Sequence, residues 1–267
     1  MDVLENVEGI SSIHGYEEVS GLTDSYRDYI QEVLPTQDQE LIVSRIDELF
    51  STQPPHAIDA NPEVAELLGD SVEYFDSKYL EAPNDIEQAE IISDSMTSIS
   101  GVDYQTWSSL SLEDKASVLQ EIECVAAAIE HRPACRVEFK PIQQEYGHYN
   151  CRCSPEMTRE QIVESLKGER VITISSEYLD NSFESYKEAL NTVIHEGRHV
   201  YQEYNLYERE VHPSEGELRN WRMNEFYYKY QPGDDTWVGM KLYDMQPLET
   251  DANKFSIDVI SKFLQKI

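Results

Sequence analysis

Downstream of residue 100, apolar positions recur at two spacings, and the switch between them marks out the elements. In SLEDKASVLQEIECVAAAIE (111–130), Leu119, Ile122, Val125, Ala126 and Ile129 fall three or four apart. That spacing predicts a long helix with one buried stripe. Ser111 and Asp114 make an approximate capping box at its start. Three short β signals follow: CRVEFK at 135–140, the segment around Tyr146 to Tyr149, and RVITIS at 170–175. In the last, Val171, Thr173 and Ser175 alternate with Ile172 and Ile174, as a half-exposed strand should. Between these strands, Ser154 to Lys167 has helix character with Pro155 in its first turn. Ser182 opens a helix expected to run to about Tyr207, and a last helix carries Glu249 and continues through DANKFSIDVISKFLQKI. The class is α+β: a long helix, a small sheet, then two helices.

The first hundred residues have a different texture. They read as acidic helical segments broken by Pro35, Pro54, Pro55, Pro62 and Pro83. QDQELIVSRIDELF places Leu41, Ile42, Ile46 and Leu49 at helical spacing, and Asn61-Pro62-Glu63 has the form of a helix start. The Ser/Thr-rich run SDSMTSISG reads as a boundary. The expected organisation is an acidic, mainly helical region over 1–100 and a second domain over 101–267.

Charge narrows the function classes. The chain has 267 residues, 40% of them hydrophobic, and a formal net charge of -31. Residues 1–100 hold 23 acidic and 3 basic side chains. Such a field disfavours binding to nucleic acid and to anionic membranes. It suits solubility or a salt-rich habitat, or an N-terminal region that docks on a basic protein partner. MDVLENVEGISS has neither the basic start nor the apolar run of a secretory signal, and no apolar stretch approaches 18 residues. The expectation is a cytoplasmic protein with its four cysteines reduced, with signal-less export as the alternative.

The chemistry concentrates in His195-Glu196-Gly197-Arg198-His199. On a helix, His195 and His199 share a face and can reach one zinc ion. Glu196 is turned aside by one residue, where it can take a proton from a zinc-bound water of pKa about 7. A catalytic zinc usually keeps three protein ligands. No histidine follows at the spacing of H-E-x-x-H-x-x-G-x-x-H, so the third ligand is expected from MQPLETDANKF, at Glu249. Arg198 is expected to pair with Asp251 and lock the two ligand helices, although Asp251 could equally accept a proton from a ligand histidine. The oxyanion donor is open among Tyr243, His212, Tyr204 and Tyr228.

These features resemble the gluzincin branch of the zincins: HExxH on one helix, a ligand Glu on a later one and an acidic residue close by. EALNTVIHEGRHVYQ, the W-x-x-N of Trp221 to Asn224, and YDMQPLETDANKF are similar to uncharacterised bacterial and phage-associated HExxH metallopeptidases, toxin-like ones among them. TWSSLSLEDKASVLQEIECVAA is similar to the helix before their sheet. The resemblance covers roughly 105–267 and is specific around 188–202 and 243–255. It implies a zincin-like catalytic domain, one catalytic zinc and a polypeptide substrate. One departure is an insertion of about twenty residues after Gly147-His148-Tyr149-Asn150, where such proteins pass directly into the third strand. It carries Cys151 and Cys153. With His148 and Cys135 these offer a second zinc site, but Cys-x-Cys is not the usual chelate spacing and free thiols are the simpler reading.

The expected reaction is peptide-bond hydrolysis, with Glu196 as general base and strand 170–175 pairing with an extended substrate as an unpaired sheet edge. Two rivals are a zinc hydrolase of a non-peptide bond and a binding protein with a vestigial site. In a further variant, residues 1–100 cover the cleft as a prosegment.

Overall fold

The computed structural model describes residues 83–143, 146–222, 224–225, 243–244 and 246–267. The expected helices around residues 41–49 and 61–63, with most of the acidic region, lie outside the described residues. The described residues fall into two compact units, 83–215 with 251–267, and 216–250.

The first unit opens with α1 (Pro83–Met96), followed by a single turn, α2 (Tyr104–Trp107), and by α3 (Leu112–Ile129). Pro83 begins α1 instead of breaking a helix, since a first-turn N–H has no helical partner to lose. Ser111 caps α3: its Oγ accepts from Asp114 N–H at 3.1 Å and donates to the Asp114 carboxylate at 2.6 Å. The strands are β1 (Arg136–Lys140), β2 (Gly147–Tyr149) and β3 (Val171–Ser175), with the short helix α4 (Arg159–Ser165) between β2 and β3. This helix starts later than Pro155, because Thr158 and Gln161 close a full capping box. After β3 come α5 (Phe183–Glu203), a π-helical turn (Tyr204–Glu208), and in the second unit α6 (Glu215–Arg222) from its second residue on.

The last helix, α7 (Pro247–Leu264), is continuous across the division of units. Only its first turn is counted with the second unit, and Asp251 to its end with the first. Phe255, Val259 and Phe263 of α7 join the core that Ile92 and Met96 of α1, Leu119 and Ile122 of α3, Ile172 and Ile174 of β3, and Leu190 and Val193 of α5 build.

Two expectations are corrected here. The sheet order is β1-β3-β2, with β1 parallel and β2 antiparallel to β3. Strand 170–175 is therefore the central strand and no edge, and Thr173 and Ser175 are as buried as Ile172 and Ile174. Alternation signals one wet face only when one face is uncovered; here short polar side chains lie under cover, with Ser175 Oγ donating to the Ile142 carbonyl at 2.6 Å. Second, the boundary drawn near residue 100 does not separate α1 from the sheet. Met96, Ile99 and Val102 are buried in the same core as β3. Ser93, Asp94 and Ser95 of SDSMTSISG lie in the last turn of α1, and Thr97, Ser98 and Ser100 occupy the turns between those apolar anchors.

Candidate metal centre

Helix α5 carries the motif through the core. Ser182 caps it, its Oγ accepting from Ser185 N–H at 3.1 Å. Leu190, Val193, Ile194 and Val200 bury its apolar sides, and the chain holds the helix for 21 residues. Two glycines let neighbours come close. A Cβ on Gly147 of β2 would stand 2.8 Å from the Thr192 methyl, so the edge strand can lie directly on α5. A Cβ on Gly197 would stand 2.6 Å from Arg132 Nη2 and 3.0 Å from Glu123 Oε2. The third position of the motif is thus a notch that admits the buried ion pair between Glu123 of α3 and Arg132 just beyond it.

His195 and His199 turn their rings toward each other, and their Nε2 atoms are 3.1 Å apart. Two nitrogens bound to one tetrahedral ion at 2.0–2.1 Å would be about 3.3 Å apart, close to this spacing. Glu249 stands in the first turn of α7, buried at 1% exposure. One ligand atom from each of His195, His199 and Glu249 lies within 4.8 Å of the others, so this group can hold a metal ion. The donor set of two imidazoles and one carboxylate suits a divalent ion of intermediate softness. Glu196 turns aside to the sheet: its Oε2 accepts the Tyr149 N–H of β2 at 2.8 Å.

Behind His195, His199 and Glu249 lies a buried charge cluster. Arg198 donates through Nε and Nη2 to the two carboxylate oxygens of Asp251, both at 2.9 Å. It also meets Asp85 of α1 at 2.9 Å and Glu130 at the end of α3 at 3.3 Å, with its guanidinium over the rings of Tyr201 and Phe255. Burial pulls its pKa down, and Asp251 and Asp85 more than reverse this, so the guanidinium stays charged. Glu130 is shared with Arg132, which grips Glu123 at 2.6 and 2.9 Å. Burial raises the Glu130 pKa against the pull of both arginines. Asp251 is linked to the His199 imidazole through Gln202. Gln202 stands between: its Oε1 meets His199 Nδ1 at 2.8 Å and its Nε2 donates to Asp251 Oδ2 at 2.6 Å. Sequence reasoning missed Gln202, although its i+3 spacing from His199 was visible.

In the second unit, the two remaining motifs meet. Asn224 Oδ1 accepts the Leu248 N–H at 3.2 Å, and its Nδ2 donates to Gln246 Oε1 at 3.2 Å. Gln246 also accepts the Thr250 N–H through its carbonyl at 2.7 Å. The W-x-x-N residue therefore caps the helix that presents Glu249.

The insertion after β2 is fastened to α5. Glu203 accepts from the Tyr149 hydroxyl at 2.8 Å, from the Arg152 N–H at 2.6 Å and from the Cys151 thiol at 3.1 Å. Arg152 reaches on to the carbonyls of Leu166 and Gly168 at 2.9 and 3.0 Å. Glu203 is thus committed away from the metal group. None of the four cysteines is in a disulfide, and among the described residues no cysteine joins a group able to hold a metal; His148 lies half-buried on β2. Of the oxyanion candidates, His212 is buried with its Nδ1 3.1 Å from the Tyr201 hydroxyl and 3.8 Å from Asp85, among the charge cluster of α5. Tyr204 begins the π-helical turn, Tyr243 lies in the second unit with its carbonyl accepting from Gln246, and Tyr228 falls outside the described residues.

No protein-family model, curated protein or solved structure matches the chain. No helix among the described residues is long and apolar enough to cross a membrane.

Proposed function

We propose that the protein is a zinc-dependent hydrolase of peptide bonds, with a zincin-like catalytic unit of the gluzincin type. His195, His199 and Glu249 would hold the ion, and Glu196 acts as general base. The observation that carries this reading is the division of labour on one helix. Two imidazole nitrogens converge 3.1 Å apart beside a buried carboxylate, while the intervening carboxylate is held out of that group by a backbone N–H.

When bound, the ion supplies Lewis-acid polarisation and acidifies water. The chain's own part is positional and protonic. Tyr149 N–H fixes one oxygen of Glu196, leaving the other to take a proton from the attacking water and return it to the leaving amine. Asn224 and Gln246 fix the start of α7 and with it Glu249. Since β3 is central, an extended substrate has only an outer strand to pair with, and β2 is the outer strand that lies on α5.

A second reading, a zinc hydrolase acting on a non-peptide bond, draws on that same strand. β2 is three residues long, and one of its outward N–H groups is already taken by Glu196. Elemental analysis, with digestion of a broad protein mixture by wild type and Glu196→Gln, separates these readings. The peptidase reading expects close to one zinc in both proteins and cleavage by wild type alone. Zinc without cleavage points to the second reading, and protein that contains no zinc and gains no stability when zinc is added removes both.

A further inference from the structure

Four side chains run in line from a buried cation to one of the proposed ligands, and each can be joined to the next in only one sense. Arg198 has donors only, and it places two of them 2.9 Å from the oxygens of Asp251. Asp85 and Glu130 also meet this buried guanidinium, but Asp251 takes two of its donors, one on each oxygen, which is the pairing of an ionised carboxylate. An ionised carboxylate accepts and cannot donate. The amide of Gln202, 2.6 Å from Asp251 Oδ2, must therefore turn its NH2 to Asp251. Its other end is then a carbonyl oxygen, and that oxygen lies 2.8 Å from His199 Nδ1. Two acceptors cannot bond, so Nδ1 must carry the proton. The remaining ring nitrogen, Nε2, keeps its lone pair and is the atom that faces His195 Nε2 at 3.1 Å.

We infer that Gln202 is a positioning residue that converts the charge of Asp251 into a fixed tautomer of His199, presenting Nε2 for ligation. The inference rests on the metal-site reading above, but the tautomer exists with or without the ion. A direct carboxylate partner would fix the ring equally well and would also draw the imidazole toward its charged form, which competes with a metal. A neutral amide in between passes on direction without passing on the full charge. A second side chain at α5, His195, then meets a lone pair and not an N–H across the ring gap. One proton on His195 or one shared cation satisfies that gap.

The test is 15N–1H spectroscopy of the histidine rings in the full chain, both metal-free and zinc-loaded, at a pH where His199 is neutral. The expected result is Nδ1–H with an unprotonated Nε2 at His199 in the metal-free wild type, and zinc on Nε2 of the same tautomer. Gln202→Ala should release the ring to the Nε2–H form that a free histidine favours, and weaken zinc binding about 10- to 100-fold in chelator competition. Nε2–H at His199 in the metal-free wild type overturns the inference without requiring any variant to fold. So does a Gln202→Ala protein with unchanged tautomer and affinity. If the tautomer is found as expected but zinc does not bind, the relay stands and the metalloenzyme reading falls.

Discussion

Asn224 Oδ1 accepts the backbone N–H of Leu248, joining the end of the W-x-x-N motif to the helix that presents Glu249. A first-turn N–H has no partner inside its own helix, so this side chain fills a need that α7 cannot meet itself. Asn224→Ala should lower unfolding stability by about 1 kcal/mol, the usual effect of losing a helix cap, and should weaken zinc binding as well. Asn224→Asp keeps an acceptor at a helix N-terminus and should restore most of both. Thermal melts and chelator competition check this; an alanine variant equal to wild type in both would remove the link between the motifs.

Gly197 gives a prediction in which two effects oppose each other. Alanine in a helix interior usually stabilises by roughly 0.5–1 kcal/mol over glycine. Here the new Cβ would meet Arg132 Nη2 at 2.6 Å. Arg132 has no room to swing aside, because it is fully buried and bonded to Glu123 and Glu130. Disturbing a buried pair costs about 3–5 kcal/mol when a charge is left uncompensated. The cost exceeds the helical gain, so Gly197→Ala should melt lower than wild type despite its better helix propensity. A higher melting temperature would show that the notch is not needed.

The motif helix, the cap at Ser111 and the positions of all three strands were legible because each depends on residues within one or two turns of one another. The sheet order was not. Whether RVITIS is edge or centre depends on whether CRVEFK and the Gly147 segment both reach it, and nothing local in Val171–Ser175 encodes that. The boundary near residue 100 failed for a related reason: SDSMTSISG looks like a linker by composition, while Met96 and Ile99 within it anchor the core. At the site, Arg198 and Asp251 could be matched by charge, and the structure brings them together. Gln202 carries no charge, so its i+3 spacing from His199 named no partner for it, and the geometry shows that it stands between His199 and Asp251.

The place of α1 changes what a truncation should do. A chain beginning at Gly101 lacks Ile92 and Met96, both fully buried, and lacks Asp85, one of the carboxylates around Arg198. Large core side chains contribute about 2–5 kcal/mol each when removed, a large part of a typical domain's total stability. The 101–267 fragment should therefore be insoluble or unfolded, whereas a chain beginning a few residues before Pro83 keeps these groups. Circular dichroism and solubility of the two fragments decide the point. A folded 101–267 fragment would mean that α1 is an addition to the core and not part of it.

Glu249 and Asp251 stand two residues apart on α7, yet their removal should have opposite signatures. Two residues on a helix differ by about 200° around the axis, so one carboxylate faces the histidines and the other faces Arg198. Glu249→Ala removes a proposed ligand and leaves the Arg198 cluster whole. The metal-free protein should stay folded, while zinc affinity falls by orders of magnitude, because two imidazoles alone do not complete the ligand set. Added zinc should then no longer raise the melting temperature, since stabilisation by a ligand follows its affinity for the folded state. Asp251→Ala does the reverse. It strips the bidentate partner from a fully buried guanidinium and should cost about 3–5 kcal/mol in the metal-free protein. Where that variant still folds, zinc affinity should fall only about 10- to 100-fold, through the loosened ring of His199. Melting curves with and without zinc, on both variants, make the comparison. If Glu249→Ala keeps its zinc-dependent shift, the third ligand lies elsewhere and the gluzincin reading fails.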